Sequence, residues 1–261
     1  MHLDVNLIKK LRDITGLGVI ECKNALITNN NDIELSVDYL RKSGNLKIEQ
    51  KSSKSINQGS VFASVKNKMG GILELNCETD FVARNEIFKK FGEKIINFIL
   101  LEENGNIEFI NKIFDQERKN LVLRFGENII IKKTFFLKSE NLISFYLHGF
   151  KIAVLVDGIA NSSCLIKKIA MHIAACSPKY LNEKDIPEYI LKREYNVQME
   201  IALNTKKSLE ISKKIVQGRM QKFINDNTLL GQEFIFEKNV NVGDFLKKNN
   251  ISILSFVRFS I

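Results

Sequence analysis

The run Leu73-Glu74-Leu75-Asn76-Cys77-Glu78-Thr79-Asp80-Phe81-Val82-Ala83-Arg84 changes its pattern in the middle. Up to Glu78 apolar and polar residues alternate. Leu73, Leu75 and Cys77 fall on one side and Glu74, Asn76 and Glu78 on the other, as in a strand with one buried face. Thr79-Asp80 breaks the alternation with two short polar side chains that bond nearby backbone N–H groups at turns and helix caps. Helical spacing resumes near Asn85, with Phe88, Phe91, Ile95 and Phe98 three to four residues apart. Phe81 and Val82 fall at the junction and belong to neither apolar stripe. A large aromatic in such a place is either tucked back into the core or presented to a partner.

Working outward, Val61, Ala63 and Val65 alternate, Gly70-Gly71 is read as the turn, and Ile72 to Glu78 returns as the second strand of a hairpin. Helices follow over 85–101 and 107–125, the second with Ile110, Ile113, Phe114 and Leu121 inward and Gly126 as its stop. A β-branched strand is expected over 128–137. The same order then recurs: strands 142–147 and 151–157 turning at His148-Gly149, and a helix over 162–176 carrying Leu165, Ile169 and Ile173 and closed by Pro178. Phe234-Ile235-Phe236, a helix over 241–248 and a strand over 251–259 complete this half. Strand-strand-helix in both halves predicts an α+β fold with helices on one face of each antiparallel sheet.

Two further segments flank this core. Residues 1–45 read as three short helices. Leu7, Ile8 and Leu11 stripe the first, Thr15-Gly16-Leu17-Gly18 breaks it, and Cys22, Ala25 and Leu26 stripe the second. Asn31 as N-cap with Glu34 three residues on predicts a capping box for the third, striped by Ile33, Val37 and Leu40 and ended at Gly44. Residues 187–225, from Pro187 across the polar break at 204–207, predict an antiparallel helical hairpin projecting from the body. The expected division is a bundle (1–45), a Lys/Ser/Gln-rich linker (46–58), a first core subdomain (59–140), a second (141–186 with 226–261) and the inserted hairpin (187–225).

With 44% hydrophobic and 26% charged residues among 261, the composition is that of a globular protein able to bury a core. No apolar run approaches the roughly 20 residues of a membrane span, and the N-terminus lacks a signal-peptide pattern. A cytoplasmic location is expected. Cys22, Cys77, Cys164 and Cys176 form no C-x-x-C pair and the chain has three His, so no metal site and no cofactor are expected. A net charge of +9 invites a nucleic-acid partner, but the lysines stand singly or in pairs among glutamates. No Arg-rich run accompanies them, so no specific nucleic-acid binding is expected. Gly16-x-Gly18 follows a helix and lacks the third glycine of a dinucleotide loop. Cys77 as a nucleophile would need His148 or His172 as its base, and its place on the inward face of a strand argues against that.

Two stretches resemble the bacterial elongation factor Ts family: Leu11-Arg12-x-x-Thr15-Gly16-x-Gly18 followed by Cys22-Lys23 and Ala25-Leu26, and the decapeptide Asn76-Cys77-Glu78-Thr79-Asp80-Phe81-Val82-Ala83-Arg84-Asn85. His148-Gly149 with Val154-Leu155-Val156, Met171-His172-x-Ala174-Ala175 and Gly218-Arg219-Met220 add to it, in the family's order along the chain. Val19-Ile20 replaces the family's frequent Met-Met, and Leu17 a usual alanine. Some relatives also carry a C-terminal helical extension before which this sequence stops, which lowers the expected contact area with a partner.

The resemblance implies a ubiquitin-associated (UBA)-like bundle, a two-part α+β core and a coiled-coil hairpin insert able to self-associate. It implies a guanine-nucleotide exchange factor, without covalent chemistry, for the translational GTPase elongation factor Tu. Thr79, Asp80, Phe81 and Val82 would enter the GTPase's nucleotide domain and disturb its Mg²⁺ and phosphate contacts. Arg12, Val19, Ile20, His148 and Gly149 would be secondary partner contacts. His172, in mid-helix, is read as a packed histidine.

Overall fold

Gly16, at a left-handed φ of 69°, ends the first helix and lets the chain double back. α1 (Val5–Thr15) and α2 (Val19–Thr28) pack together, and residues 33–40 form α3. The computed structural model describes residues 5–40, 56–204 and 208–261. Leu11, Leu17, Cys22, Ala25, Leu26 and Leu40 form the buried centre of the bundle, with Leu7, Ile8, Ile33 and Val37 around it. The capping box expected on Asn31 is not the cap observed. Asn31 takes a left-handed φ of 66°, not the extended backbone of an N-cap, and Asp32 Oδ1 instead accepts from the Leu35 N–H at 2.9 Å. Gly44 and most of the 46–58 linker lie outside the described residues, and Gln58 already belongs to the first strand.

β1 (Gln58–Lys66), β2 (Met69–Cys77) and β3 (Ile129–Lys138) form an antiparallel sheet in the order β1-β2-β3, with Val61 opposite Glu74 and a register shift between Glu74 and Leu75. The hairpin turns at Asn67-Lys68, both at positive φ (49° and 62°), not at Gly70-Gly71. Those glycines lie inside β2, where a Cβ on Gly71 would come within 2.9 Å of Ile96 Cδ1. Close helix–sheet approach, rather than chain reversal, accounts for that glycine.

Leu73, Leu75 and Cys77 face the helices α5 (Glu86–Leu101) and α6 (Ile107–Phe125), where Phe88, Phe91, Ile95, Ile110 and Phe114 complete a single apolar core. The Phe114 ring stands edge-on to Phe98 at 5.2 Å and to Phe91 at 6.0 Å. Asn85 and Asn106 cap the two helices through their side chains, and Gly126, left-handed at 69°, ends α6. Ile113, expected inward, is exposed. β2 also departs from the one-buried-face expectation. Both faces of β2 are buried from Gly70 to Cys77, and the fully buried Glu74 carboxylate has Lys132 Nζ at 2.9 Å and Lys133 Nζ at 3.3 Å.

Residues up to Lys138, with Leu147–Ala153 and Phe259–Ile261, form one compact unit; Ser139–Tyr146 and Val154–Arg258 form the other. A second three-stranded sheet has the order β4 (Leu142–His148), β5 (Ile152–Ile159), β6 (Ser252–Ser260). In the second unit α7 (Ser163–Cys176), capped by Ser162, buries Ile166, Ile169 and Ile173, with Ile166 in the place expected of Leu165. α8 (Glu188–Leu203) packs on α9 (Leu209–Asn227), and Arg219 Nη1 donates to Gln198 Oε1 at 3.2 Å, as antiparallel helices joined by a short connection require. α10 (Val242–Lys248), capped by Asn241, brings Phe245 within 4.3 Å of the Phe234 ring. Helices and antiparallel sheets together make this an α+β protein, as the pattern of elements predicts.

Candidate functional site

β2 stops at Cys77, and α4 (Asp80–Arg84), five residues long, begins three positions later. One helical turn is not stable by itself in water, so its hold must come from elsewhere. Thr79 caps it, accepting the Val82 N–H on Oγ1 at 3.4 Å. Thr79 in turn donates its N–H to Glu127 Oε2 (3.0 Å) and its hydroxyl proton to Glu127 Oε1 (2.7 Å). The Cys77 thiol donates to Thr79 O at 3.1 Å, the Asn128 N–H to Glu78 Oε1 at 2.8 Å, and the buried Ser60 hydroxyl to Ala83 O at 3.0 Å. The turn is thereby bonded to β1 at one end and to the α6–β3 connection at the other.

Phe81 projects from this mount with 83% of its surface exposed, whereas Val82 is 7% exposed and belongs to the apolar core. Consecutive helical residues point about 100° apart, so one neighbour can face out while the next faces in. Val82, read with Thr79, Asp80 and Phe81 as part of one partner-binding turn, stands behind Phe81 as a core anchor. Asp80 Oδ2 lies 3.3 Å from Arg84 Nη2, an exposed i,i+4 pair.

Arg84 also ties the turn to its surroundings. Its guanidinium lies 5.4 Å from the centre of the Phe150 ring, on which Lys151 Nζ also sits at 5.5 Å. Phe150 O accepts from the Val61 N–H at 2.9 Å, and Lys151 Nζ donates to Gln58 Oε1 at 2.7 Å. The β4–β5 tip, where His148 and Gly149 are exposed and Gly149 has a φ of 57°, is thereby seated beside α4. The structure so brings together the Thr79–Val82 turn and the His148-Gly149 pair. Arg12, Val19 and Ile20 lie on the bundle, with Val19 and Ile20 50% and 74% exposed. The bundle abuts α6, where a Cβ on Gly16 would meet Arg124 Cδ at 3.2 Å.

Glu127, Ser60 and Phe150 are the site residues that sequence reasoning missed. None falls on an apolar stripe or cap pattern, and Glu127 acts on a residue 48 positions away.

The thiol chemistry follows from burial. Cys77 is pushed up to about 12, first by loss of solvent and then by the Glu127 charge, against the pull of Lys151 and its backbone bonds. It is a neutral thiol at neutral pH, not a nucleophile. His172, fully buried, has Nε2 3.0 Å from Gln232 Oε1, and its Nδ1 accepts from the Ile235 N–H at 3.4 Å. Burial lowers its pKa and the Gln232 bond opposes that shift, so the ring is a neutral, packed one. Among the described residues no His, Cys, Asp and Glu side chains cluster as a metal site, and no helix is long and apolar enough to cross a membrane.

A family model described as Elongation factor TS matches residues 78–261, from the end of β2 to the last residue. The chain belongs to the elongation factor Ts family. It is 45% identical over 260 residues to elongation factor Ts of Buchnera aphidicola subsp. Baizongia pistaciae (strain Bp), covering 100% of this chain and 97% of that one. The Hamiltonella defensa elongation factor Ts is 42% identical over 262 residues (100% and 91% covered), and that of Yersinia pestis (strain Pestoides F) 43% over 257 (98% and 90%). A role in translation elongation comes with membership of this family.

Proposed function

We propose that this chain is the guanine-nucleotide exchange factor for its cognate elongation factor Tu, binding the GDP form of that GTPase and speeding GDP release. Phe81 acts as an aromatic wedge, with Thr79 and Asp80 at its base and Val82 fixing it from behind. Mg²⁺ demands near-ideal octahedral geometry, so a small displacement of the loops that support it loosens the grip on the GDP phosphates. No bond is made or broken in the exchange factor itself. Linkage then requires that GDP weaken its hold on the GTPase by the same factor.

The observation that carries this reading is the combination at α4: a ring 83% exposed on a turn bonded at both ends. A side chain free to fold back would lose the wedge, and a buried one could not reach a partner. His148 and Gly149 extend the same surface, and Arg12, Val19 and Ile20 make a second contact from the bundle.

In this reading residues 1–45 are the UBA-like bundle, 46–58 the linker, 59–140 and 141–186 with 226–261 the two core subdomains, and 187–225 a coiled-coil insert. Exposed Val197, Ile201, Leu209 and Ile211 give that insert an apolar surface for self-association. The protein works in the cytoplasm without a cofactor or a specific nucleic acid.

The deciding experiment follows mantGDP release from purified elongation factor Tu. The wild-type chain should accelerate release, and added GDP with Mg²⁺ should dissociate the complex. No acceleration at any concentration would reject the assignment.

A further inference from the structure

Glu127 stands in the short connection between α6 and β3, outside every motif that marks the Phe81 turn, yet its carboxylate spends both oxygens there. We infer that Glu127 is a positioning residue for nucleotide exchange, fixing Thr79 and through it the direction in which Phe81 leaves the surface. The inference rests on the reading of Phe81 given above.

The geometry has three parts. First, the grip is reciprocal. The Glu127 side chain accepts from the backbone and hydroxyl of Thr79, while the side chain of Glu78 accepts from the backbone of Asn128 at 2.8 Å. Two consecutive residues of one segment thus hold two consecutive residues of the other. Second, Thr79 is the hinge of the turn. Its backbone is extended (φ −122°, ψ 157°), Asp80 begins the helix, and Phe81 follows, so rotation at Thr79 swings the ring. Third, a threonine hydroxyl has one proton. Donated to Glu127 Oε1, it leaves a lone pair for the Val82 N–H, so the carboxylate also sets the cap.

Hydrogen bonds to an ionised acceptor are roughly twice as strong as neutral ones. Here two of them end on a five-residue turn whose exposed residue is a phenylalanine. A glutamine at 127 keeps one acceptor oxygen for the Thr79 N–H, but its NH₂ would donate to Thr79 Oγ1, reversing that bond and removing the charge from both. An alanine releases Thr79 altogether.

The test uses the full-length chain as wild type, E127A, E127Q, F81A and the F81A/E127A double variant. Each is measured by mantGDP release from elongation factor Tu over a range of concentrations and by thermal unfolding. Removing the pair of charged hydrogen bonds is expected to slow exchange about tenfold in E127A, with E127Q between it and the wild type. In the F81A background the same substitution should change exchange less than about twofold, because the group it aims is gone.

An equal tenfold loss in both backgrounds would assign Glu127 to general stability or another contact and overturn the inference. So would wild-type exchange in E127A alongside slow exchange in F81A, which leaves the Phe81 reading standing. Undiminished exchange by F81A itself would overturn that reading and this inference together.

Discussion

Truncating Phe81 to alanine removes a ring that the free protein hardly uses. A phenylalanine side chain offers roughly 150–200 Å² for burial, and 83% of this residue is exposed. Alanine retains about a third of that area, so complete burial against a partner would forfeit roughly 100 Å², or about 2.5 kcal/mol at ~25 cal/mol per Å². That is the size of an interface hot spot and corresponds to a loss of affinity of roughly 50- to 100-fold. The isolated protein should be indifferent, since substitutions at exposed positions shift stability by about 0.5 kcal/mol or less. Stopped-flow release of mantGDP from elongation factor Tu, titrated with wild type and variant, gives the first quantity, and thermal unfolding gives the second. Release curves that superimpose at every concentration would refute the wedge. A large fall in the unfolding midpoint would show instead that the ring supports its own fold.

Val82→Ala should differ by weakening the isolated protein, at a cost of about 1–2 kcal/mol in urea unfolding, and should slow exchange as well because the anchor behind Phe81 is cut back. Gly92→Ala should also destabilise, by roughly 1–3 kcal/mol, because its new methyl would overlap the ring of Phe62. His172 makes stability fall with pH. The unfolded chain takes up a proton near the ordinary 6.5 while the folded one resists until lower pH, so stability present above 6.5 is lost as pH drops through and below it. Urea midpoints at pH 7.5 and 5 should therefore differ in the wild type and differ less in His172→Gln. Under native conditions at pH 8 a thiol reagent should label exposed Cys164 promptly and leave buried Cys22 and Cys77 until urea is added. Prompt labelling of Cys77 would contradict its assigned burial.

Where local chemistry decides structure, the sequence was a good guide. The Thr79-Asp80 break caps a helical turn and Gly126 ends α6 in the left-handed conformation, both as expected, while the cap expected on Asn31 falls one residue later on Asp32. Where a distant segment decides, the local pattern misled. Glu74 reads as solvent-facing by its alternation, yet lysines from β3, nearly 60 residues on, let it be buried on the second face of a central strand. Gly70-Gly71 looks like a turn because glycine serves both turns and close packing, and only the position of Ile96 distinguishes them. At the site, the family resemblance singled out Thr79 to Val82 as a block. Which of the four faces outward depends on a helical turn too short for periodicity to detect. Glu127 carries no local signal, because its meaning lies in the residues it reaches.

The bond between Thr79 and Glu127 spans 48 positions, which gives it a consequence in time as well as space. During synthesis the phenylalanine leaves the ribosome early, while its footing arrives only with the corner after α6. If Phe81 works as proposed, a nascent or prematurely ended chain that stops between the two carries the recognition letters without the posture they require. Such a fragment, or a short peptide copied from 76–85, would engage the GTPase more weakly than a chain long enough to include Glu127.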